Sequence, residues 1–171
     1  MRHKNCICFV LLLLLIATAA PTANAQGPKG RDFGFGLNLG DPTGITIKYW
    51  FSRENALVAS LGNSYFGALR INVDYLWHFD AFNSRVVDLY AGIGGVLGFG
   101  EGHGVLYHHK KDVYYYREDD DTGIGIRAVL GLNIIPKNSP LEIFIEFGPL
   151  VGLVPKTGSS LDVSAGIRFY P

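Results

Sequence analysis

From residue 31 onward, apolar and polar side chains alternate one for one in short runs separated by clusters of Gly, Pro, Asn, Asp and Ser. A repeat of two puts successive side chains on opposite faces of an extended chain, so each run predicts a strand with one apolar and one polar face. Eight strands are expected. The first, about 31–39, sets Phe33, Phe35, Leu37 and Leu39 against Gly34, Gly36 and Asn38. The second, about 45–51, sets Ile45, Ile47, Tyr49 and Phe51 against Thr46, Lys48 and Trp50. The third, about 56–62, alternates least clearly, with Leu57, Ala59 and Leu61 as its apolar face. In the fourth, about 68–79, Leu69, Ile71, Val73, Tyr75 and Trp77 oppose Arg70, Asn72, Asp74, Leu76 and His78.

The fifth, about 85–99, runs through Val87, Leu89, Ala91 and Ile93 against Asp88, Tyr90, Gly92 and Gly94. A long polar segment, 101–122, follows it. The sixth, about 123–135, carries Ile124, Ile126, Ala128, Leu130, Leu132 and Ile134 opposite Arg127. In the seventh, about 141–153, Leu141, Ile143, Ile145 and Phe147 oppose Glu142, Phe144 and Glu146, and Gly148-Pro149 is expected to bend or bulge it. The eighth, 161–170, alternates Leu161, Val163, Ala165, Ile167 and Phe169 with Asp162, Ser164, Gly166, Arg168 and Tyr170.

Two architectures accept such strands. A soluble sandwich or lipocalin-like barrel turns the apolar faces inward, whereas a membrane barrel turns them to lipid and fills its lumen with the polar faces. The polar faces carry Lys48, Arg70, Arg127 and Arg168 against Asp74, Asp88, Glu142, Glu146 and Asp162, interspersed with glycines. Near-balanced charge among glycines suits a narrow lumen filled by ion pairs, because unpaired buried charge is costly. Connections 52–55, 80–84 and 136–140 are short, while 101–122 lies at the other end, the loop asymmetry of outer-membrane barrels. Trp50 and Phe51, Trp77 and Phe79, and Phe169 and Tyr170 end strands at the end where Phe33 begins one, which reads as an interfacial aromatic girdle. The membrane barrel is the favoured architecture. Eight strands leave an interior that side chains just fill, which disfavours a wide pore.

The N-terminus supports export. Arg2 and Lys4 precede an apolar run from Phe9 to Ile16, and Ala23-Asn24-Ala25 is a small-x-small cleavage site. Cleavage after Ala25 is expected, giving a signal peptide over 1–25 and a barrel domain over 26–171. Cys6 and Cys8 leave with the signal, so the mature chain has no thiol chemistry. Of 15 basic residues Arg2 and Lys4 also leave, so 13 face 15 acidic ones, a balance with no electrostatic footprint for nucleic acid. Beyond residue 26 no run approaches the ~20 apolar residues of a membrane helix.

Candidate chemistry is sparse. Gly123-Ile124-Gly125-Ile126-Arg127-Ala128 matches G-x-G-x-x-A, but inside a strand pattern with no helix after it, so inward glycines of a crowded barrel explain it better than a dinucleotide site. The 101–122 segment holds His103, His108 and His109 beside Glu101, Asp112, Glu118, Asp119, Asp120 and Asp121. These are ligand types for a divalent metal, yet a solvated loop with incidental histidines is preferred, and three adjacent acids do not form an EF-hand. Tyr114-Tyr115-Tyr116 offers an adhesive patch or, preferably, an extension of a neighbouring strand above the membrane. Asp74 and His78 share a face but stand roughly 13 Å apart along a strand, as do Glu142 and Glu146. Neither pair is a ready acid–base dyad.

GDPTGITIKYWFS at 40–52, INVDYLWHFD at 71–80, LYAGIGG at 89–95, LEIFIEFGPLVGLVPKTG at 141–158 and AGIRFY at 165–170 resemble a family of small uncharacterised bacterial outer-membrane β-barrel proteins. The resemblance spans nearly the whole mature chain. It implies an eight-stranded barrel inserted by the barrel-assembly machinery, with Gly166, Arg168, Phe169 and Tyr170 as the insertion signal. It brings no catalytic residues. Pro171, after Tyr170, departs from the usual aromatic ending.

The expectation is an all-β protein, an eight-stranded antiparallel up-and-down transmembrane β-barrel in the bacterial outer membrane. It is expected to be a monomer with a structural or surface-interaction role, without enzymatic activity, cofactor, metal or nucleic-acid partner. Its surroundings would be outer-membrane lipid and lipopolysaccharide. A membrane-embedded lipid-modifying enzyme, a narrow channel and a soluble periplasmic barrel are the alternatives.

Overall fold

The computed structural model describes residues 30–84, 86–100, 105–107, 113–115, 122–136, 139–155 and 157–171. The expected signal segment lies outside them. Eight long strands form the wall: β1 (Phe33–Gly40), β2 (Thr43–Trp50), β3 (Asn55–Ser64), β4 (Gly67–Phe79), β5 (Val87–Phe99), β8 (Gly123–Ile134), β9 (Leu141–Val154) and β10 (Gly158–Phe169). Each pairs antiparallel with its chain neighbour, and β1 also pairs with β10 from Phe35↔Phe169 to Gly40↔Ser164. That last ladder closes the sheet on itself and leaves no long edge.

Every strand keeps the period of two that the sequence shows, with burial inverted relative to a soluble barrel. Among the described residues, thirty large hydrophobic side chains stand exposed and only eleven hydrophobic residues are buried. Leu39, Ile93 and Leu37 are the most open, at 67%, 61% and 59%. Lys48, Arg70, Glu142 and Arg168 are fully enclosed. Water on the outside would face an apolar wall, so the burial pattern is that of a barrel clad in lipid. β3 alternates least because Ala56 and Val58 make its inner face apolar as well.

The chain enters and leaves at one rim, termed lower, which also carries connections 51–54, 80–86 and 135–140. The upper rim carries 41–42, 65–66, 100–122 and 155–157. Three of the four upper connections are shorter than any lower one, so 100–122 alone supplies the expected length asymmetry. Within it β6 (Val105–Tyr107) and β7 (Val113–Tyr115) pair with each other. Tyr107 also pairs with Ser159 on the edge of β10 that rises above β1. The hairpin thus leaves β5 and reaches an edge on the far side of the ring. Residues 113–115 pair with β6 in this separate ribbon instead of extending the fifth or sixth expected strand, and β6 in turn borders the free top of β10. The loop's histidines and acids lie outside the described residues, as does Tyr116.

Pro149 lies on the exposed face of β9 without shifting register: Arg127↔Leu150 and Leu130↔Phe147 keep one spacing on either side of it. The irregularity between β8 and β9 falls at Ile124/Gly125 instead. The aromatic girdle is thinner than expected. Phe33, Trp77, Phe79 and Phe169 face outward, but Trp50 and Tyr170 are buried in the lumen. Parity decides this, since both occupy polar-face positions of their strands.

Candidate functional site

The lumen is the most distinctive chemical feature of the molecule. Lys48, Arg70, Arg127 and Arg168 meet Asp74, Glu142, Glu146 and Asp162, and all eight are buried. Four cations against four anions give a neutral set, as burial requires. Asp88 is not brought into it. It sits half-exposed at the lower start of β5 and forms no ion pair among the described residues.

At the upper end Arg70 on β4 reaches Asp162 on β10 (2.5 Å) and Asp41 in the β1–β2 connection (3.3 Å). Its Nε donates to Asn72 Oδ1 at 2.7 Å, and Tyr65 donates to Asp162 at 2.5 Å. Burial raises the Asp41 carboxyl from its ordinary value near 3.8 to about 6, although Ser64 and Arg70 partly offset this. Arg127 on β8 occupies the centre. Its Nη2 lies 3.1 Å from Glu146 and its Nη1 3.4 Å from Asp162. Its Nε stands 3.2 Å from Asp74 Oδ1 but off the N–H axis, so that contact is ionic without being a hydrogen bond.

Glu146 links this group to the lower one. It accepts from Tyr90 at 2.9 Å and lies 3.6 Å from Arg168. Below, Glu142 takes Lys48 Nζ at 2.8 Å and Arg168 Nη1 at 3.0 Å on one oxygen, and the Tyr170 hydroxyl on the other. Trp50 Nε1 donates to that hydroxyl at 3.0 Å. His78 lies 3.0 Å from Lys48 through Nε2, and its Nδ1 stands 3.3 Å from the Glu54 carbonyl. An ammonium donates to Nε2 only if the ring proton is on Nδ1, so this pairing fixes the neutral tautomer.

Large rings fill what the charges leave. Tyr90 lies across Gly131, Tyr170 across Gly34, and Phe144 across Gly166; a Cβ on these glycines would stand 2.2, 2.6 and 2.5 Å from ring atoms. Phe66, from the β3–β4 connection, folds inward over Gly98 and Gly125 and packs with Val96 and Leu150. The Arg168 guanidinium lies 3.7 Å over the Phe144 ring. Gly125 therefore serves as floor beneath the Phe66 ring, inside a strand, and no helix follows to receive a dinucleotide.

Residues 26–170 match the model of the family described as "Protein of unknown function (DUF3996)". The chain belongs to that family. No curated protein matches it. Its fold is similar to the crystal structure of the N-terminal β-barrel domain of Pseudomonas aeruginosa OprF, with a TM-score of 0.60 over 84% of this chain and 98% of that one. At 13% identity the likeness is one of fold alone.

Of the residues singled out in the C-terminal strand, Arg168 and Tyr170 point into the lumen, Gly166 makes room for Phe144, and Phe169 faces outward. Asp41 and Tyr65 were not foreseen as partners, because turn residues carry no periodicity to place them. Tyr90, Tyr170 and Thr46 share polar faces with the charges, so parity marks them even though residue type does not.

Proposed function

We propose that this protein is an integral outer-membrane β-barrel with a structural or surface-interaction role and a lumen plugged by its own side chains. The observation that carries the reading is the combination of an apolar exterior with a neutral set of four cations and four anions inside. The inward charges specify closure and register: each ion pair within the set of eight joins two different strands, so a slipped strand would orphan a buried charge. Residues 1–25 act as the cleaved export signal, and the family match beginning at residue 26 accords with that boundary. The last residues of β10 and Tyr170 serve as the signal for the assembly machinery. Outer-membrane lipid and lipopolysaccharide surround a monomer.

Fractionation of expressing cells, with the membrane fraction run on gels before and after boiling, tests the reading. Outer-membrane sedimentation with a boiling-dependent mobility shift is expected. A soluble protein without the shift would overturn it. The plug is tested separately by planar-bilayer conductance, where a silent barrel is expected. His78 has both ring nitrogens engaged, by Lys48 and by the Glu54 carbonyl, which supports a non-enzymatic role over lipid modification from within the barrel.

A further inference from the structure

Among the described residues Asn133 is the one buried side chain whose polar atoms both lack a partner. It stands on the inner face of β8 at 0% exposure, and neither Oδ1 nor Nδ2 makes a hydrogen bond. The other orphaned atoms of the lumen have company. Asn38 donates through Nδ2 to the Pro42 carbonyl at 3.0 Å, and Asp74 Oδ1 lies 3.2 Å from Arg127 Nε. A buried amide left bare forfeits all its hydration, so such a group calls for an explanation.

Its strand neighbours supply one polar group. Along β8 the next inward position is Gly131, which the Tyr90 ring covers, and the Tyr90 hydroxyl is given to Glu146 at 2.9 Å. On β9 the register partner is Phe144, whose ring lies across Gly166. On β5 the partner is Asp88, half-exposed at the lower mouth. Residues directly opposite on adjacent strands hold their Cβ atoms about 4.5–5.5 Å apart. An amide and a carboxylate at that spacing either bond directly or share a molecule, and the Asn133 amide bonds to neither Asp88 nor any other group. The two orphaned atoms set the class of that molecule. A cation would serve Oδ1 and leave Nδ2 bare, and an anion would do the reverse. Water both accepts and donates, and buried waters commonly make about three such bonds. We infer that Asn133 and Asp88 hold bound water between them, so that solvent enters the plugged lumen from the lower mouth as far as Asn133.

The inference rests on the plugged-lumen reading above and refines it. It is tested by a high-resolution crystal structure of the full barrel, with crystals soaked in rubidium bromide. Ordered water about 2.7–3.2 Å from both Asn133 Oδ1 and Nδ2 is expected, with one molecule also bonded to Asp88. In Asp88→Leu that bridging water should be lost, and Asn133→Leu should expel the water altogether. An amide with no density beside it would overturn the proposal, as would one turned to bond a protein group directly. Rubidium or bromide taken up at the site would give it to an ion and sink the water assignment. A bridging water unchanged in Asp88→Leu would refute the part given to Asp88. Should neither variant fold, the wild-type structure decides alone. Conductance through planar bilayers would sink the plug itself; a silent barrel with a dry Asn133 sinks only this site.

Discussion

Glu142 and Arg168 face each other as direct partners in the β9–β10 ladder, and their side chains meet at 3.0 Å inside the lumen. The same Glu142 oxygen also holds Lys48, whose remaining polar neighbour is a neutral histidine. One carboxylate therefore serves two buried cations from β2 and β10. Glu142→Leu should destabilise the barrel by about 3–5 kcal/mol, the range for breaking a buried pair, because it orphans Lys48 outright. Arg168→Leu should cost less, since Glu142 keeps Lys48 and Tyr170. Arg127→Leu should match Glu142→Leu, because among the described residues Asp74 has no other cation within ion-pair distance. Denaturant unfolding in lipid vesicles measures all three. Wild-type midpoints would refute the lumen network.

The strands and their faces were legible because the period of two runs clearly through every wall strand but β3, and a one-residue slip would carry charge into lipid. Lys48, Glu142 and Arg168 were assigned to one interior by parity alone. Who meets whom was not legible, since pairing depends on stagger around a closed ring. Asp88 shows the limit: it has the right parity, but it starts its strand at the rim and forms no ion pair among the described residues. Trp50 and Tyr170 show another, since their residue type suggested the interface while their parity put them inside.

Gly131 is tied to Tyr90 by contact instead of by charge. A Cβ at 131 would stand 2.2 Å from Tyr90 Cζ, and that ring is pinned by its hydrogen bond to Glu146. Gly131→Ala should therefore destabilise by about 1–3 kcal/mol, the usual cost of overpacking. Adding Tyr90→Leu should recover part of the loss by removing the ring. If Gly131→Ala unfolds like wild type, the ring has room to move and the lumen is looser than the contact implies.

Asp41 gives the upper rim a pH dependence. Its carboxyl is raised from about 3.8 to about 6, chiefly by burial. The fold therefore favours the protonated form, so its stability contribution is fully present below pH 3.8 and is lost as pH rises through 6. Wild-type stability relative to Asp41→Asn should increase on going from pH 7.5 to pH 5. A difference that is flat across that window, or of opposite sign, would show that the Arg70 contact outweighs burial.

Leu130 separates the membrane barrel from a soluble one most directly. It lies midway along β8, is 51% exposed, and has neighbours β5 and β9 that present Ala91 and Phe147 beside it. On a water-facing surface an arginine there would be tolerated within a few tenths of a kcal/mol. Against hydrocarbon at mid-depth it should cost about 2–4 kcal/mol, falling toward the rims. Leu130→Arg and Phe79→Arg, compared by unfolding in vesicles, supply the contrast, because Phe79 ends β4 at the lower rim. A large penalty at 130 with a small one at 79 marks a wall immersed in lipid. Equal, small penalties would place water on both.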